Sequence, residues 1–190
     1  RLGAVVTAVD IRPDAREQSR SLGAKDIDVG VPAEVAIGEG GYAQRLSEEW
    51  LNKEREALKP LVKAADIIIL SALIPGKLAP ILITEEMVAS MAPGSSIVDI
   101  SVDQGGNCEL TEAGAVVEKH GVTIDGTKNI PGMMPTSSTW MFANNIYELL
   151  SFLARDGKIV LDRNDPIVEG TLTTIDKQIV HRGAREAMGL

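Results

Sequence analysis

The chain has 190 residues, 44% of them apolar and only 3% aromatic, with a formal net charge of −8 and a single cysteine, Cys108. That length suits one α/β domain with an attachment, and an aliphatic core fits a helix-covered parallel sheet better than an aromatic-rich sandwich. The acidic balance and the absence of a Lys/Arg run exclude non-specific nucleic-acid binding and a polyanionic membrane surface as direct partners. One cysteine excludes an internal disulfide, and no stretch reaches the ~18 apolar residues that span a bilayer.

Val5 to Asp10 reads as a strand, β-branched and apolar on both faces, ending on an acid. Pro13 opens a short helix through about Leu22, and Gly23 follows as its C-cap. A weak strand is expected at Ile27 to Val29, with Asp26 standing where an apolar strand residue is expected. Gly30 to Tyr42 reads as a long connection, followed by an amphipathic helix over about Ala43 to Ala64. Leu46, Trp50, Ala57, Leu58 and Leu61 form its apolar stripe, Glu48, Glu49, Lys53, Glu54 and Glu56 lie off it, and Pro60 threatens its last turns.

Asp66 to Leu70 is the clearest buried strand and runs into the loop Ser71 to Gly76. Thr84 caps a helix through about Met91, and Ser96 to Ile100 is a second central strand ending near Asp103. Short strands at Val116-Val117 and Val122 to Ile124 are joined around His120-Gly121. A Pro/Gly/Met loop over 128–135 precedes a long helix, about Thr136 to Ala154, with Phe142, Ile146, Leu149, Leu150 and Leu153 on one face. The tail over 158–180 alternates as a small β-meander does.

This alternation predicts a Rossmann-like doubly wound parallel α/β sheet. In such a unit a carboxylate ending the second strand takes the adenosine ribose hydroxyls, with the glycine-rich phosphate turn ~20 residues upstream. Asp10 stands at that position with nine residues before it, so the domain is expected to be N-terminally incomplete. The chain divides on this reading into a partial NAD-binding domain, 1–135, and a connecting helix with β-meander, 136–190, belonging to a second half-domain.

Ligands of such sheets lie at the carboxyl ends of the strands, so Asp10, Leu73 and Asp103 should face one crevice. Asp10 could hold a ribose diol and would repel a 2′-phosphate, which favours NAD over NADP; the alternative is a surface acid at a strand end. Arg12 complicates that choice, since a cation beside it can receive a 2′-phosphate; otherwise it is solvated. Leu73 has only steric and backbone uses, and Pro75-Gly76 otherwise reads as an ordinary turn. Asp103 could orient a ribose or a substrate amine, or simply close a turn. Gly40-Gly41-Tyr42 ends the long connection as the hinge of a closing lid would, with a disordered surface loop as the rival reading. His120 and His181 lack metal-type spacing, and Met133, Met134 and Met141 read as packing residues.

Taken together, Val-Asp-Ile-Arg-Pro (9–13), Gly-Gly-Tyr-Ala (40–43), Ala-Leu-Ile-Pro-Gly-Lys (72–77), Ile-Thr-Glu-Glu-Met-Val (83–88), Val-Asp-Ile-Ser-Val-Asp-Gln-Gly-Gly-Asn-Cys (98–108) and Asn-Ile-Pro-Gly (129–132) resemble the alanine dehydrogenase/transhydrogenase family. The similarity is stronger to the NAD(H)-binding region of proton-translocating NAD(P) transhydrogenase alpha subunits. It implies that Asp10, Ile11 and Arg12 contact the adenosine half of NAD(H), that Gly41 and Tyr42 belong to a mobile loop closing over the nucleotide, and that Leu73 lies near the nicotinamide. It also implies hydride exchange with NADP(H) on a partner domain, a membrane domain that couples the exchange to proton movement, a homodimer, and a place on the cytoplasmic face of the inner membrane. Alanine dehydrogenase is the alternative, favoured by an acid at Asp103; the insertion over 32–50 favours the transhydrogenase. A non-catalytic nucleotide-binding domain is the third reading.

Overall fold

The computed structural model describes residues 3–38, 42–74 and 77–190, in two compact units, Arg1–Ile130 and Pro131–Leu190. The first unit opens with β1 (Thr7–Val9), α1 (Pro13–Ser21) and β2 (Lys25–Ile27), the two strands pairing in parallel. Pro13 takes the first helical turn, where its missing N–H costs nothing. β2 begins two residues earlier than expected and includes Asp26. The acid is tolerated because Arg20 of α1 grips it with two bonds, at 2.9 and 2.8 Å.

The long connection is not a plain loop. It contains α2 (Ala33–Ala36), and Val29, Val31 and Ala36 are buried as a small apolar cluster with Val9 and Ile11 against it. Ile37 and Ala43 form an antiparallel bridge, and the Gly38 N–H donates to the Tyr42 carbonyl at 2.8 Å, closing the connection at its base. Gln44 donates from Nε2 to the Val35 carbonyl (3.0 Å) and so ties the returning chain to α2. α3 then runs over Glu48–Ala64, later than the predicted start, because Ser47 is its true N-cap and accepts from the Trp50 N–H. It continues past Pro60, with Leu58 and Val62 buried on either side of it.

β3 (Ile67–Leu70), α4 (Glu85–Ala89) and β4 (Ser96–Asp99) follow, then a 3-10 turn over Ile100–Gln104 and the strands β5 (Val116–Lys119) and β6 (Val122–Asp125). Thr84 caps α4 as expected. These strands form a sheet in the order β3-β4-β6-β5, parallel except for the β5–β6 hairpin. At its tip His120 and Gly121 both have positive φ, 54° and 74°, as a tight two-residue hairpin demands.

The expected parallel sheet therefore comes in two pieces. β1–β2 is not hydrogen-bonded to the four-stranded sheet, and β3 is an edge rather than a strand buried on both faces. Ile67 and Ile69 are exposed, while Ile68 packs on the core and Leu70 is buried in it. That core is aliphatic, formed by Ile83, Met87, Val88, Ile97, Val122 and Ile124, with Val9 packed against it. Val9 also touches the smaller cluster, so β1 is held to both.

A short helix α5 (Ile130–Met133) begins on the last residue of the first unit, and the second unit continues with α6 (Pro135–Leu153), which has no buried residue. Met133, Met134 and Met141 are exposed and are not packing residues in this unit. The tail is not one continuous meander. Two short hairpins, β7–β8 (Ala154–Arg155, Lys158–Ile159) and β9–β10 (Thr174–Ile175, Gln178–Ile179), flank α7 (Pro166–Thr171), and α8 (Arg182–Met188) follows the second of them. Asp165 caps α7 by accepting from the Ile167 and Val168 amides, and Val168 is the buried centre of the segment. Among the described residues no helix is long and apolar enough to cross a membrane.

Candidate functional site

Asp10 follows directly on β1, at its carboxyl end, with its side chain partly buried. It accepts from the Arg12 backbone N–H (2.8 Å), from Arg12 Nε (3.0 Å) and from Arg12 Nη2 (2.8 Å). The hydrogen bonds from Arg12 to Asp10 raise the guanidinium above its ordinary pKa. An ionised carboxylate offers about four acceptor positions, so this fork leaves capacity for a further donor such as a sugar hydroxyl. Arg12 is thus a partner of Asp10 rather than a free cation. Ile11 packs on the small apolar cluster beneath it.

Glu54 belongs off the apolar stripe of α3 by its polarity, yet it is buried there. Helical spacing explains this, since position 54 lies between Trp50 and Leu58 on one face. Burial, with the nearby charge of Asp10 second, pushes the Glu54 carboxyl up to about 7, and Arg55 opposes the shift.

β3 and β4 are parallel and in register, from Ile67 opposite Ser96 to Leu70 opposite Asp99, so the segments that follow them emerge at one edge. Leu73 lies in the first segment, 40% exposed, while the next residue, Ile74, is buried. Asp103 lies in the 3-10 turn after β4 and accepts from the Asn129 N–H at 3.0 Å. The acid is engaged in holding the backbone of a residue with φ of 52°.

Beneath these loops lies a buried polar group that motif and spacing do not reveal. The Asp99 carboxylate accepts from the Ser101, Asn107 and Cys108 amides and from Thr111 Oγ1, at 2.8–3.1 Å. The fully buried Asn107 in turn bonds to the backbone of Ala72 and Pro80. A cue exists in Asp99 through Asn107, an acid and an amide flanking a Gly-Gly turn, but their partners are too distant in sequence for spacing to find.

Tyr42 is exposed, beside the Ile37–Ala43 bridge. Gly41, Pro75 and Gly76 lie outside the described residues. Cys108 is a buried free thiol, its pKa raised by burial. His120 pairs with Glu85 (3.0 Å), and among the described residues no acidic, His or Cys group could hold a metal.

Residues 1–182 match the family model described as alanine dehydrogenase/PNT, C-terminal domain. The chain is 49% identical over 185 residues to the first part of the NAD(P) transhydrogenase subunit alpha of Rhodospirillum rubrum, a match that covers 95% of this chain and 48% of that protein. It is 31% identical over 194 residues to alanine dehydrogenase of Staphylococcus saprophyticus, covering all of this chain and 47% of that one. Among solved structures, the transhydrogenase from Sinorhizobium meliloti superimposes with a TM-score of 0.71 at 36% identity, covering 96% of this chain and 44% of that one. An L-alanine dehydrogenase does so at 0.68 and 26% identity, covering 99% and 47%. The chain spans about half the length of these relatives, and identity is higher to the transhydrogenases named here than to the alanine dehydrogenases. With its parallel strands, its acid-terminated β1 and a match over nearly its whole length, the chain belongs to the alanine dehydrogenase/PNT C-terminal domain family.

Proposed function

We propose that this chain supplies the NAD(H) site of a proton-translocating NAD(P) transhydrogenase alpha subunit, in which hydride passes between NAD(H) here and NADP(H) on a partner domain. The observation that carries the reading is Asp10, which ends a parallel strand with acceptor capacity to spare after Arg12 is satisfied. Residues Asp10, Ile11 and Arg12 would hold the adenosine half, Leu73 would wall the nicotinamide side, and Gly41 and Tyr42 would cover the nucleotide. The nicotinamide supplies the hydride chemistry. The protein's share is approach, orientation and exclusion of water, tasks that need no acid or base.

The same proposal includes the partners: NADP-binding and membrane domains, a second copy of the subunit, and a position on the cytoplasmic face of the inner membrane. It assigns residues 1–135 to the nucleotide domain and 136–190 to the connecting helix and a portion of a second half-domain. An alanine dehydrogenase reading would put Asp103 on the substrate; its Oδ2 accepts from the Asn129 amide, so the acid also serves the backbone there. Turnover of alanine with NAD by the complete protein would favour that reading. NADH binding without hydride exchange would favour a non-catalytic domain.

Substituting Asp10→Asn in the complete protein should weaken NADH binding by about 1–2 kcal/mol, some five- to thirtyfold, since a charged acceptor is replaced by a weaker one and Arg12 loses its partner. Calorimetric titration with NADH measures it; unchanged affinity would remove Asp10 from the site.

A further inference from the structure

We propose that Asn107, assisted by Ser101, is a positioning residue that fixes the peptide just before Leu73 and so sets the nicotinamide-side wall of the site; this rests on the NAD(H) reading above. Asn107 is fully buried, and a buried amide without partners is costly. Its partners define its orientation. Oδ1 accepts from the Ala72 N–H at 2.9 Å. Nδ2 donates to the Ala72 carbonyl at 2.9 Å and to the Pro80 carbonyl at 2.8 Å, so both of its hydrogens are used. Ser101, also buried, donates from Oγ to the same Ala72 carbonyl at 3.3 Å.

The N–H and the C=O of Ala72 are thus both held by one side chain. Two bonds on either side of a single Cα restrict both backbone dihedrals of that residue and aim the peptide that leads into Leu73. Leu73 is 40% exposed, so its own packing does not fix it. Asn107 is itself immobilised. Its N–H donates to Asp99 Oδ2 at 2.8 Å, and its carbonyl accepts from the Leu82 and Ile83 amides at 2.8 and 3.0 Å. The chain leaving β3 is therefore referenced to the end of β4 through a rigid buried amide. Hydride transfer demands close, aligned approach of donor and acceptor, and a wall that can drift loses that registration.

The test uses the complete protein with three variants, Asn107→Ala, Ser101→Ala and Asn107→Asp, and three measurements. Amide hydrogen exchange at Ala72 reports the clamp without any ligand. Affinity for ADP-ribose, which lacks the nicotinamide, reports the adenosine half. Hydride transfer from NADH to NADP on the partner domain, which is reduced to NADPH, reports the nicotinamide half. Asn107→Ala should accelerate Ala72 exchange about tenfold or more and slow hydride transfer by about the same factor, with ADP-ribose affinity within about twofold of wild type. Ser101→Ala should slow transfer a few-fold in the same pattern.

In Asn107→Asp a carboxylate would face two carbonyls. Protonation restores one donor, so hydride transfer relative to wild type should recover as pH falls. Transfer at the wild-type rate in both deletions would overturn the proposal. So would a parallel loss of ADP-ribose affinity and transfer, which marks a purely structural role. Should Asn107→Ala fail to fold, Ser101→Ala decides between the same two results. A wild-type protein that binds neither NADH nor ADP-ribose would refute the nucleotide reading, and this role with it, while Ala72 exchange would still report the clamp.

Discussion

Asp99→Ala is expected to destabilise the protein by about 3–5 kcal/mol. The carboxylate is fully buried and takes four hydrogen bonds, from the Ser101, Asn107 and Cys108 amides and from Thr111 Oγ1. Truncation leaves all four donors in a low-dielectric interior, and each unsatisfied group costs about 1–3 kcal/mol before relaxation. The turn also packs closely on the carboxylate. Gly106 sits at φ +81°, and a Cβ there would lie 2.8 Å from Asp99 Oδ2. Asp99→Asn should cost less, about 1–2 kcal/mol, because one oxygen can keep the three bonds that converge on Oδ2 while the new amine opposes only the Ser101 N–H. Denaturant unfolding of the two variants at one pH measures the difference. Equal stability of Asp99→Ala and wild type would mean that this polar group does not hold the turn.

Glu54→Gln is expected to stabilise the protein at pH 8, by about 2–3 kcal/mol, and to do little at pH 4. Burial and the neighbouring charge of Asp10 raise the Glu54 carboxyl from 4.5 to about 7 in the folded chain. The folded state therefore binds more protons than the unfolded state between those two values, and stability falls as pH rises across that window. Below the lower value the carboxyl is neutral in both states and the penalty vanishes; above the upper value it is fully expressed. Glutamine keeps the shape and removes the charge, so the variant should lose that share of the pH dependence. Melting temperatures measured from pH 4 to pH 8 would show two curves that diverge upward from about pH 5. Parallel curves would mean that Glu54 is solvated in the folded protein. The same carboxyl lies near Asp10, so its ionisation places a second negative charge beside the proposed ribose site.

Strands are legible where β-branched runs are unbroken, as in Ile67 to Leu70 and Ser96 to Asp99, and helix starts where a cap or proline marks them, as at Thr84 and Pro13. The start of α3 is obscured because the apolar pattern runs on upstream of Ser47, although that serine and the acids after it mark the true boundary. α7 is hidden because Asp165-Pro166 serves equally as a turn and as a helix cap with its first residue. β2 includes Asp26, whose partner Arg20 lies six residues away on another element, and strand propensity cannot anticipate that pairing. The positions of Asp10, Leu73 and Asp103 after strands are legible, because the apolar runs before them mark those strands. Asn107 and Asp99 are not, since a polar residue beside a glycine turn looks the same whether it faces water or clamps a peptide 35 residues away in sequence.

On the proposed function, the Asp10 carboxylate receives the adenosine ribose of NAD(H). The most direct measurement is a structure of the complete protein with NADH bound. Both ribose hydroxyls, or one of them with the other on the backbone nearby, should lie within about 3 Å of the Asp10 oxygens, with the Arg12 fork retained. A nucleotide bound elsewhere, with Asp10 turned to solvent, would remove Asp10 from the ribose site.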